Sequence, residues 1–357
     1  MDKELLIEVK HLSRHYHGGR DGDSIAVNDI SFSLKRGEVL GFLGPNGAGK
    51  STTMKMLSGN LAPTHGSIKI AGIDLMDQPI AAKAKIGYLP DTPPLYKDLS
   101  VDEYLKYCAQ LNQIDKAKIA DALAVAKERC GLSDHGQRII NHLSKGYQQR
   151  VGIAQAIIHA PDIVILDEPT VGLDPIQMVE IRKLIKELGQ LHSVLISSHI
   201  LPEIQAICDN VQIIKQGQLV FHSSIAQLNQ HIHSHTLCLS CGHSIDTEKL
   251  LALNGVNAIR ENTSQVNLMA GSSESSIQPV NKQWRVDCTL ADDSNNAHQE
   301  MMDIAQEVIA LAVQEKWSLY EIYSEKKSLE DIFMSLTRDA KVSTHNADNE
   351  KTGLGHD

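Results

Sequence analysis

The most constraining feature of the sequence is a glycine-rich loop, Gly44-Pro45-Asn46-Gly47-Ala48-Gly49-Lys50-Ser51. Glycines at three of these positions let backbone N–H groups turn around an anion without Cβ clashes. The apolar run Val39 to Leu43 predicts a buried strand before the loop, and the residues Thr52 to Leu57 predict a helix after it. Because a strand, a glycine loop and a helix N-terminus in this order form a site for phosphate groups, the chain is predicted to bind a nucleoside triphosphate.

Two side chains at the end of this loop predict how the phosphates are held. Lys50 adds a full positive charge for the outer phosphates. The hydroxyl of Ser51 is placed to ligate Mg²⁺. The predicted nucleotide-binding stretch therefore runs from Gly44 to Thr52.

A second candidate site is the carboxylate pair Asp167-Glu168, which follows the apolar run Ile163 to Leu166. Asp167 is predicted to hold Mg²⁺ through a water molecule, and Glu168 to orient or deprotonate the attacking water. The alternative is a solvated pair of loop charges. The four apolar residues before the pair and Pro169 after it count against that alternative, so the sequence predicts hydrolysis as well as binding.

His199 follows another predicted strand, Val194 to Ser197. A histidine in such a sequence is by default an ordinary core or surface residue. Here the strand places it at the same edge of the sheet as Glu168. We therefore predict that His199 contacts the γ-phosphate.

A second anion site is predicted at Leu143-Ser144-Lys145-Gly146, ahead of a helix expected over Val151 to His159. A serine and a glycine at the start of a helix present the groups that bind an anion. One nucleotide does not need two such sites. The second site is therefore predicted to complete the pocket of a neighbouring copy of the chain.

Composition narrows the class of protein further. The 357 residues are enough for about two domains. The net charge of −10 argues against a protein that holds nucleic acid by bulk electrostatics. The acidic start, Met1 to Glu4, is unlike a signal peptide, and no apolar run approaches the ~18 residues that span a bilayer. We expect the chain to remain in the cytosol.

The order of strand and helix patterns predicts two domains and a tail. Residues 1–228 alternate strands and helices, as in a layered α/β domain, and begin with strands at Leu5 to Val9 and Ile25 to Leu34 joined by a polar loop. A helical block is expected over residues 97–160, where Ser100 and Glu103 form a capping box. Residues 229–338 follow the pattern strand, helix, strand, strand, helix, strand, and the polar residues 339–357 are predicted to be disordered.

The six cysteines include one pair at metal-ligand spacing, Cys238 and Cys241, with histidines at positions 231, 233, 235 and 243 around it. Zinc would suit such a cluster. Alternation at Thr236 to Leu239 equally suits an ordinary strand, and no second ligand pair follows at zinc-finger spacing. The strand is the favoured interpretation.

Taken in order, the motifs resemble the ATP-binding cassette of ABC transporters over residues 4–225. The matching segments are the glycine loop at 44–51, Leu143 to Gly146, Ile165 to Pro169, Gly172 to Asp174 and Ser198-His199. The Tyr88-Leu89-Pro90 turn, the signature Leu-Ser-Lys-Gly-Tyr-x-Gln-Arg and Ser328 to Phe333 are similar to subunits that pair with ABC-2 type permeases. The resemblance implies a P-loop NTPase fold with a mixed sheet, an antiparallel β subdomain and a helical subdomain, followed by a small α+β domain.

The resemblance also implies ATP with Mg²⁺ as the ligands and a role for each matching residue. Tyr16 matches the aromatic residue that stacks on adenine. Ser144 and Gly146 would contact the γ-phosphate held by the glycine loop of the opposite subunit, with Asp174 across the same interface. His199 would steady that phosphate.

Two positions depart from the usual pattern of this family. Asp91 stands where many cassettes have a glutamine. A carboxylate there can still reach Mg²⁺ through water, but it adds negative charge beside phosphate and donates no hydrogen bond. Its role as a metal contact is therefore left open. Lys145 replaces a glycine of the signature, and we expect function to survive because the contact runs through Ser144 and backbone groups.

The expected function is an ATPase that works as a dimer beneath a membrane permease on another chain, and the subgroup resemblance favours an exporter. Segment Pro90 to Tyr96 and the helix from Val101 would dock the permease at the inner face of the membrane. A soluble cassette ATPase acting on ribosomes or DNA is the alternative, against which the single cassette and acidic composition count. A nucleotide-sensing module with little turnover is disfavoured by Glu168 and His199.

Overall fold

The structure is a computed structural model that describes residues 4–19, 22–262, 282–289 and 294–326. The chain divides into two units between Ile225 and Ala226. The predicted motif at Ser328 to Phe333 and the predicted disordered tail, residues 339–357, lie outside the described residues.

The first unit contains ten strands and seven α-helices within its described residues. The strands are β1 (Leu5–Gly19), β2 (Gly22–Lys35), β3 (Val39–Leu43), β4 (His65–Ile70), β5 (Ile73–Asp74), β6 (Ile86–Leu89), β7 (Ile163–Asp167), β8 (Ser193–Ser198), β9 (Asn210–Lys215) and β10 (Gln218–Ser224). The helices are α1 (Lys50–Leu57), α2 (Pro79–Lys83), α3 (Val101–Leu111), α4 (Ile119–Arg129), α5 (Lys145–Ile157), α6 (Pro175–Leu188) and α7 (Leu201–Ile207).

Two sheets form the framework of this unit. One has the strand order β10-β9-β3-β8-β7-β6, and all its neighbours are parallel except β10 with β9. The other is antiparallel, in the order β2-β1-β4-β5. Strands β3, β7 and β8 are buried along their whole length, as apolar runs in a parallel sheet should be. The α/β cassette architecture predicted from the sequence is confirmed.

The predicted polar loop near the start of this unit is only partly right. The strands at Leu5 and Ile25 extend into it and form a hairpin in which Tyr16 pairs with Ser24. Backbone pairing in an antiparallel ladder does not require apolar side chains, so the polar sequence concealed it.

The capping box predicted at the start of α3 is confirmed. Ser100 Oγ accepts from the Glu103 amide, and Glu103 Oε2 accepts from the Ser100 amide at 2.8 Å. These two bonds satisfy N–H groups that the first turn of a helix otherwise leaves free, so the sequence fixes where α3 begins.

The second unit pairs one sheet with helices, and α8 (Ile225–Ile232) begins at the boundary before it. Its elements are β11 (His233–Cys241), α9 (Thr247–Leu251), β12 (Val256–Asn262), β13 (Lys282–Cys288), α10 (Ser294–Gln314) and β14 (Leu319–Lys326). This order matches the predicted pattern of strand, helix, strand, strand, helix, strand. The strands pair antiparallel in the order β12-β13-β11-β14.

The sheet of the second unit separates the two cysteines of the candidate zinc site. Cys241 lies with Leu237 and Leu239 in the apolar core of this unit. Cys238 is three residues earlier on the same strand, and side chains alternate between the two faces of a strand, so it points to the opposite face. Among the described residues no group of three metal-ligating side chains lies together. Thr236 to Leu239 lie within β11, as the strand interpretation predicts.

All six cysteines of the chain lie in its described part and are free thiols. Five are buried, and Cys238 is half-buried. Burial raises the pKa of the Cys108 and Cys288 thiols to about 11 and that of Cys130 to about 12. These thiols behave as small apolar core residues.

Two histidines of the first unit are held in the neutral form next to β6 and β7. His192 is 6% exposed, and its Nδ1 donates to the Pro161 carbonyl at 2.7 Å. His159 Nε2 donates likewise to the Ile86 carbonyl at 3.1 Å. The second ring nitrogen of each is buried without a hydrogen-bond partner among the described residues. Burial lowers the pKa of both histidines, because a proton there would place charge on an unpaired nitrogen.

We expect His192→Gln to reduce the loss of stability on acidification. The unfolded chain takes up a proton near pH 6.5, whereas folded His192 does so only at lower pH, so stability falls as pH drops below about 6.5. One such group contributes at most about 1.4 kcal/mol per pH unit. Urea midpoints of the chain at pH 7 and pH 5.5 measure the effect. Exposed His142→Gln is the control, and an unchanged pH dependence in His192→Gln would contradict the assignment.

Candidate functional site

The glycine loop between β3 and α1 has a left-handed backbone conformation, which favours glycine, at two positions. Gly49 caps the N-terminus of α1 with a φ of 109°, and a Cβ there would lie 2.5 Å from the Ala26 carbonyl oxygen. Gly47 has a φ of 78°. Helix α1 begins at Lys50, so its free N–H groups face the loop. The loop therefore has the form of an anion cradle.

The ammonium of Lys50 is folded back into this cradle. The side chain is 5% exposed, and Nζ donates to the carbonyl of Gly44 at 2.9 Å and to that of Pro45 at 3.2 Å. Nζ also lies 3.1 Å from Glu168 Oε1, in an ion pair whose carboxylate side chain is 11% exposed. Lys50 thus joins the phosphate cradle directly to the candidate general base.

Glu168 is held on its other side by His199. The second carboxylate oxygen, Oε2, lies 2.8 Å from His199 Nδ1. The backbone of Glu168 has a φ of 48°, a left-handed conformation that is rare outside glycine and recurs at functional sites. Its amide donates to the hydroxyl of Ser197 at 2.9 Å, which fixes that conformation. The structure therefore brings together three predicted residues: Lys50 at the start of α1, Glu168 directly after β7 and His199 directly after β8.

Asp167 is the last residue of β7 and is fully buried. Its Oδ1 accepts from Ser51 Oγ at 3.2 Å and from Ser197 Oγ at 2.5 Å. Its Oδ2 is buried and has no hydrogen-bond partner within the described part of the chain. Burial raises the pKa of Asp167 and the two serine hydroxyls lower it, while Asp91 and Glu168 raise it further through their charge. An uncompensated carboxylate oxygen among other carboxylates is the arrangement that a divalent cation relieves.

Lys50, Glu168 and His199 open into one cavity of about 340 Å³, whereas the fully buried Asp167 does not line it. It is lined by Ala26, Asn46, Gly47, Gly49, Lys50, Ser51, Thr52, Asp91, Glu168, Val171 and His199. Asp91 is exposed at its edge, and its carboxylate accepts from the amide of Thr92 at 2.8 Å. Three residues of the predicted stretch, Gly44, Pro45 and Ala48, do not line the cavity but belong to the loop that surrounds Lys50.

The second predicted anion site forms a separate cavity of about 260 Å³. Ser144 caps the N-terminus of α5, where its side chain accepts from the Tyr147 amide at 3.4 Å. The helix begins at Lys145, not at Val151 as predicted, because the polar residues of its first turns hide the apolar periodicity. The lining residues are Ser144, Gly146, Tyr147, Arg150, Asp174, Ile176, Gln177, Glu180 and Ile181.

Asp174 and Lys145 shape this second cavity. Asp174 caps α6, and its Oδ1 accepts from the amides of Ile176 at 3.0 Å and Gln177 at 2.9 Å. Lys145, which replaces a signature glycine, reaches the turn before Asp174, since a Cβ on Gly172 would collide with Lys145 Nζ. Gly172 itself has a φ of 71°, a left-handed backbone conformation that favours glycine.

Tyr16 lies apart from both cavities. It is on β1, 40% exposed, and the guanidinium carbon of Arg14 sits 4.8 Å from its ring centroid. Tyr16 lines neither of the cavities formed by the other predicted residues. Stacking of this ring on adenine stays a prediction.

Sequence reasoning missed Ser197, which binds both members of the carboxylate pair. Its hydroxyl donates to Asp167 and accepts from the amide of Glu168. Ser197 is fully buried in the apolar strand β8. A hydroxyl inside a run of fully buried residues was the available signal, since buried polar groups are normally hydrogen-bonded to a specific partner.

The chain is similar to known transport proteins. A family model described as "ABC transporter" matches residues 27–171. The bacitracin transport ATP-binding protein BcrA of Enterococcus faecalis is 35% identical over 239 residues, 66% of this chain and 75% of BcrA. The linearmycin resistance ATP-binding protein LnrL of Bacillus subtilis (strain 168) is 30% identical over 333 residues, 93% of this chain and 98% of LnrL. A solved structure described as the ATP binding subunit of an ABC transporter is 31% identical, with a TM-score of 0.55, and covers 63% of this chain and 92% of its own.

We expect Lys50→Ala to weaken nucleotide binding by roughly 100-fold, since charged hydrogen bonds worth about 3 kcal/mol are lost. Titration with a fluorescent ATP analogue measures the dissociation constant. Lys55→Ala is the matched control, because Lys55 lies on the same helix but is exposed and outside the 340 Å³ cavity. Tight binding by Lys50→Ala would contradict the assignment of the cradle.

Proposed function

The chain belongs to the ABC transporter ATP-binding proteins, which hydrolyse ATP, and on that premise we propose that two copies close around ATP to power an ABC-2 type export permease on another chain. The family supports ATP binding and hydrolysis directly. The dimer, the type of permease and the direction of transport are the proposed steps.

The dimer is proposed because the predicted site residues line two separate cavities. Lys50, Glu168 and His199 line one cavity, while Ser144, Gly146 and Asp174 line another. A triphosphate in the first cavity has its cradle and its base on the same copy. The N-terminus of α5, with Ser144 as its cap, offers further donors for phosphate but lines no part of the first cavity. Two copies facing each other would bring the two halves together.

The residues around Asp167 fit Mg²⁺ as the partner ion of ATP. The unpaired Oδ2 of Asp167 and the hydroxyl of Ser51 are oxygen ligands of the kind that Mg²⁺ prefers, and Asp91 adds charge nearby. When bound, Mg²⁺ supplies positive charge against the phosphate oxygens. We propose that Ser51 and Asp167 hold it, with Asp91 acting through water.

The chain's own residues then divide the work of hydrolysis. The loop amides and Lys50 bind the phosphates, and Lys50 must turn from Glu168 toward them. Glu168, released from that pair, accepts a proton from the attacking water at a carboxylate oxygen, a contribution of about 10²–10⁴ in rate. His199, already 2.8 Å from Glu168, lies beside the same cavity and steadies the outer phosphate.

Export is supported by the relatives. The names of BcrA and LnrL attribute bacitracin transport and linearmycin resistance to those proteins. LnrL matches nearly the whole chain, including the second unit. We therefore propose that this chain drives export, at the inner face of the membrane and through a permease. None of the described helices is long and apolar enough to cross a membrane.

A groove of about 610 Å³ is the proposed docking site for that permease. It is lined by Lys55, Ser58, Asn60, Lys83, Ile86, Tyr88, Pro90, Pro94, Asn112, Gln155 and His159. Three buried atoms in these side chains, Tyr88 Oη, Gln155 Oε1 and His159 Nδ1, have no hydrogen-bond partner among the described residues. Burying a polar atom without a hydrogen-bond partner costs free energy. A bound segment that supplies donors and acceptors to these three atoms would therefore stabilise the complex.

The edges of this groove indicate what the partner segment carries. Lys55 and Lys83 are exposed at one side, where they favour a carboxylate. Tyr96, two residues after Pro94, and Leu111, directly before Asn112, are 55% and 63% exposed. An amphipathic segment with an acidic residue would satisfy both features. This surface includes part of the stretch Pro90 to Tyr96 predicted from the sequence.

We expect Glu168→Gln to bind ATP, to lose about 10²–10⁴ in hydrolysis rate, and to accumulate as a dimer. The amide keeps the shape of the side chain but accepts no proton. Light scattering on a sizing column with ATP and Mg²⁺ measures the dimer. Adding Ser144→Arg should restore the monomer without loss of ATP binding. A Glu168→Gln protein that stays monomeric in saturating ATP would overturn the proposed dimer.

We expect Lys55→Glu with Lys83→Glu to detach the protein from membranes, because the reversed charges repel an acidic partner segment. Immunoblots of sedimented membranes against supernatant measure attachment. ATP hydrolysis by the isolated variant should stay unchanged. Lys186→Glu, an exposed lysine on α6, is the control. Membrane attachment equal to that of the wild type would rule out the groove, and capture of ribosomes or DNA instead would favour the soluble alternative.

A further inference from the structure

The carboxylate of Glu203 is buried behind the catalytic residues and is not part of either cavity. It lies in the first turn of α7 and is 1% exposed. Oε2 accepts from Thr170 Oγ1 and from Ser198 Oγ, each at 2.8 Å. Oε1 lies 3.3 Å from a guanidinium nitrogen of Arg182. A carboxylate is stable in a buried site only when hydrogen-bond donors satisfy it. The positions of Thr170, Ser198 and Arg182 are therefore restrained by their bonds to Glu203.

Each of the three donors belongs to a different functional segment. Thr170 is two residues after Glu168 and is 2% exposed. Ser198 directly precedes His199 and also accepts from the amide of Ile200 at 3.0 Å, which closes a turn around the histidine. Arg182 lies on α6, the helix that Asp174 caps.

We propose that Glu203 is a positioning residue for ATP hydrolysis, a role that rests on the proposed function. Its single carboxylate ties the loop after Glu168, the turn that carries His199 and the helix behind Asp174 into one unit. Glu168 and His199 belong to the copy's own nucleotide cavity, whereas Asp174 lines the half-site offered to the second copy. Glu203 thereby fixes the distance between Glu168 and His199. Through Arg182 it also couples that distance to the position of α6.

The geometry allows the three links to be removed one at a time. Both hydroxyls donate to the same oxygen, so Glu203→Gln can keep them on its amide oxygen and lose only the contact with Arg182. Thr170→Val and Ser198→Ala each remove one link to Glu203 with little change in volume, and Ser198→Ala also removes the bond from the Ile200 amide. Glu203→Ala removes all three links at once.

We expect these variants to lower kcat while ATP binding stays intact. Misplacement of a catalytic group by about 1 Å costs on the order of 100-fold, which is the effect expected for Glu203→Ala, with smaller losses for the other three variants. The KM for ATP should stay within about twofold, since the glycine loop is untouched. Phosphate release is normalised to the amount of bound fluorescent ATP analogue, so unfolded protein does not contribute.

A double-mutant cycle separates positioning from a general structural role. If Glu203 acts through His199, Glu203→Ala should add little to the loss already caused by His199→Ala. The matched control is Glu38→Gln, another buried carboxylate of this unit, which accepts from Asn210 Nδ2 at 2.6 Å and lies outside both nucleotide cavities. Its kcat per bound nucleotide should equal that of the wild type.

The proposal is overturned if Glu203→Ala lowers only thermal stability and keeps kcat per bound nucleotide within about twofold of the wild type. Full additivity with His199→Ala would overturn it as well. Should Glu203→Ala not fold, Thr170→Val and Ser198→Ala carry the same test. The proposed dimer is tested by a separate measurement: if the dimer does not form, the Glu168→Gln protein stays monomeric in ATP.

Discussion

The contact on which the site depends is the buried ion pair between Lys50 and Glu168. Both side chains are nearly withdrawn from water, and the ammonium is also held by two loop carbonyls. Taking two charges out of water is expensive, and such a pair persists only when the surrounding geometry satisfies both partners. Here both partners are satisfied, because the loop carbonyls accept from Lys50 and His199 contacts the other carboxylate oxygen of Glu168. Under the proposed function, a phosphate in the cradle would offer Lys50 more negative charge and would change the surroundings of Glu168 at the same time.

The parallel sheet is what lets residues so far apart in the chain meet. Strands β3, β7 and β8 are neighbours, and each ends at the same edge with a functional group. Parallel strands expose their carboxyl ends together, so the cradle, the carboxylate pair and His199 converge without any long-range sequence signal. Ser197 joins the end of β8 to the end of β7, because its hydroxyl bonds both Asp167 and the amide of Glu168.

Residues whose chemistry is local were predictable from the sequence, and those that act through tertiary contacts were not. The loop around Lys50 follows from its glycines and from the strand and helix beside it. Ser197 and Glu203 carry no such local pattern, because their partners come from segments distant along the chain. The start of α5 at Lys145 was missed since its first turns are polar, although Ser144 was a visible cap. Tyr16 was assigned by resemblance alone, and its position apart from the cavities has no signal in the sequence.

The distribution of the thiols has a consequence for the chemical durability of the chain. Five cysteines are sealed in apolar surroundings where the reactive thiolate is scarce at neutral pH, and only Cys238 of the six is half-buried. Oxidants and alkylating agents that reach the folded protein therefore meet a single accessible sulfur, on the face of the second unit's sheet that points away from its apolar core. Oxidation is therefore expected at Cys238 in the second unit and not in the glycine loop of the first unit.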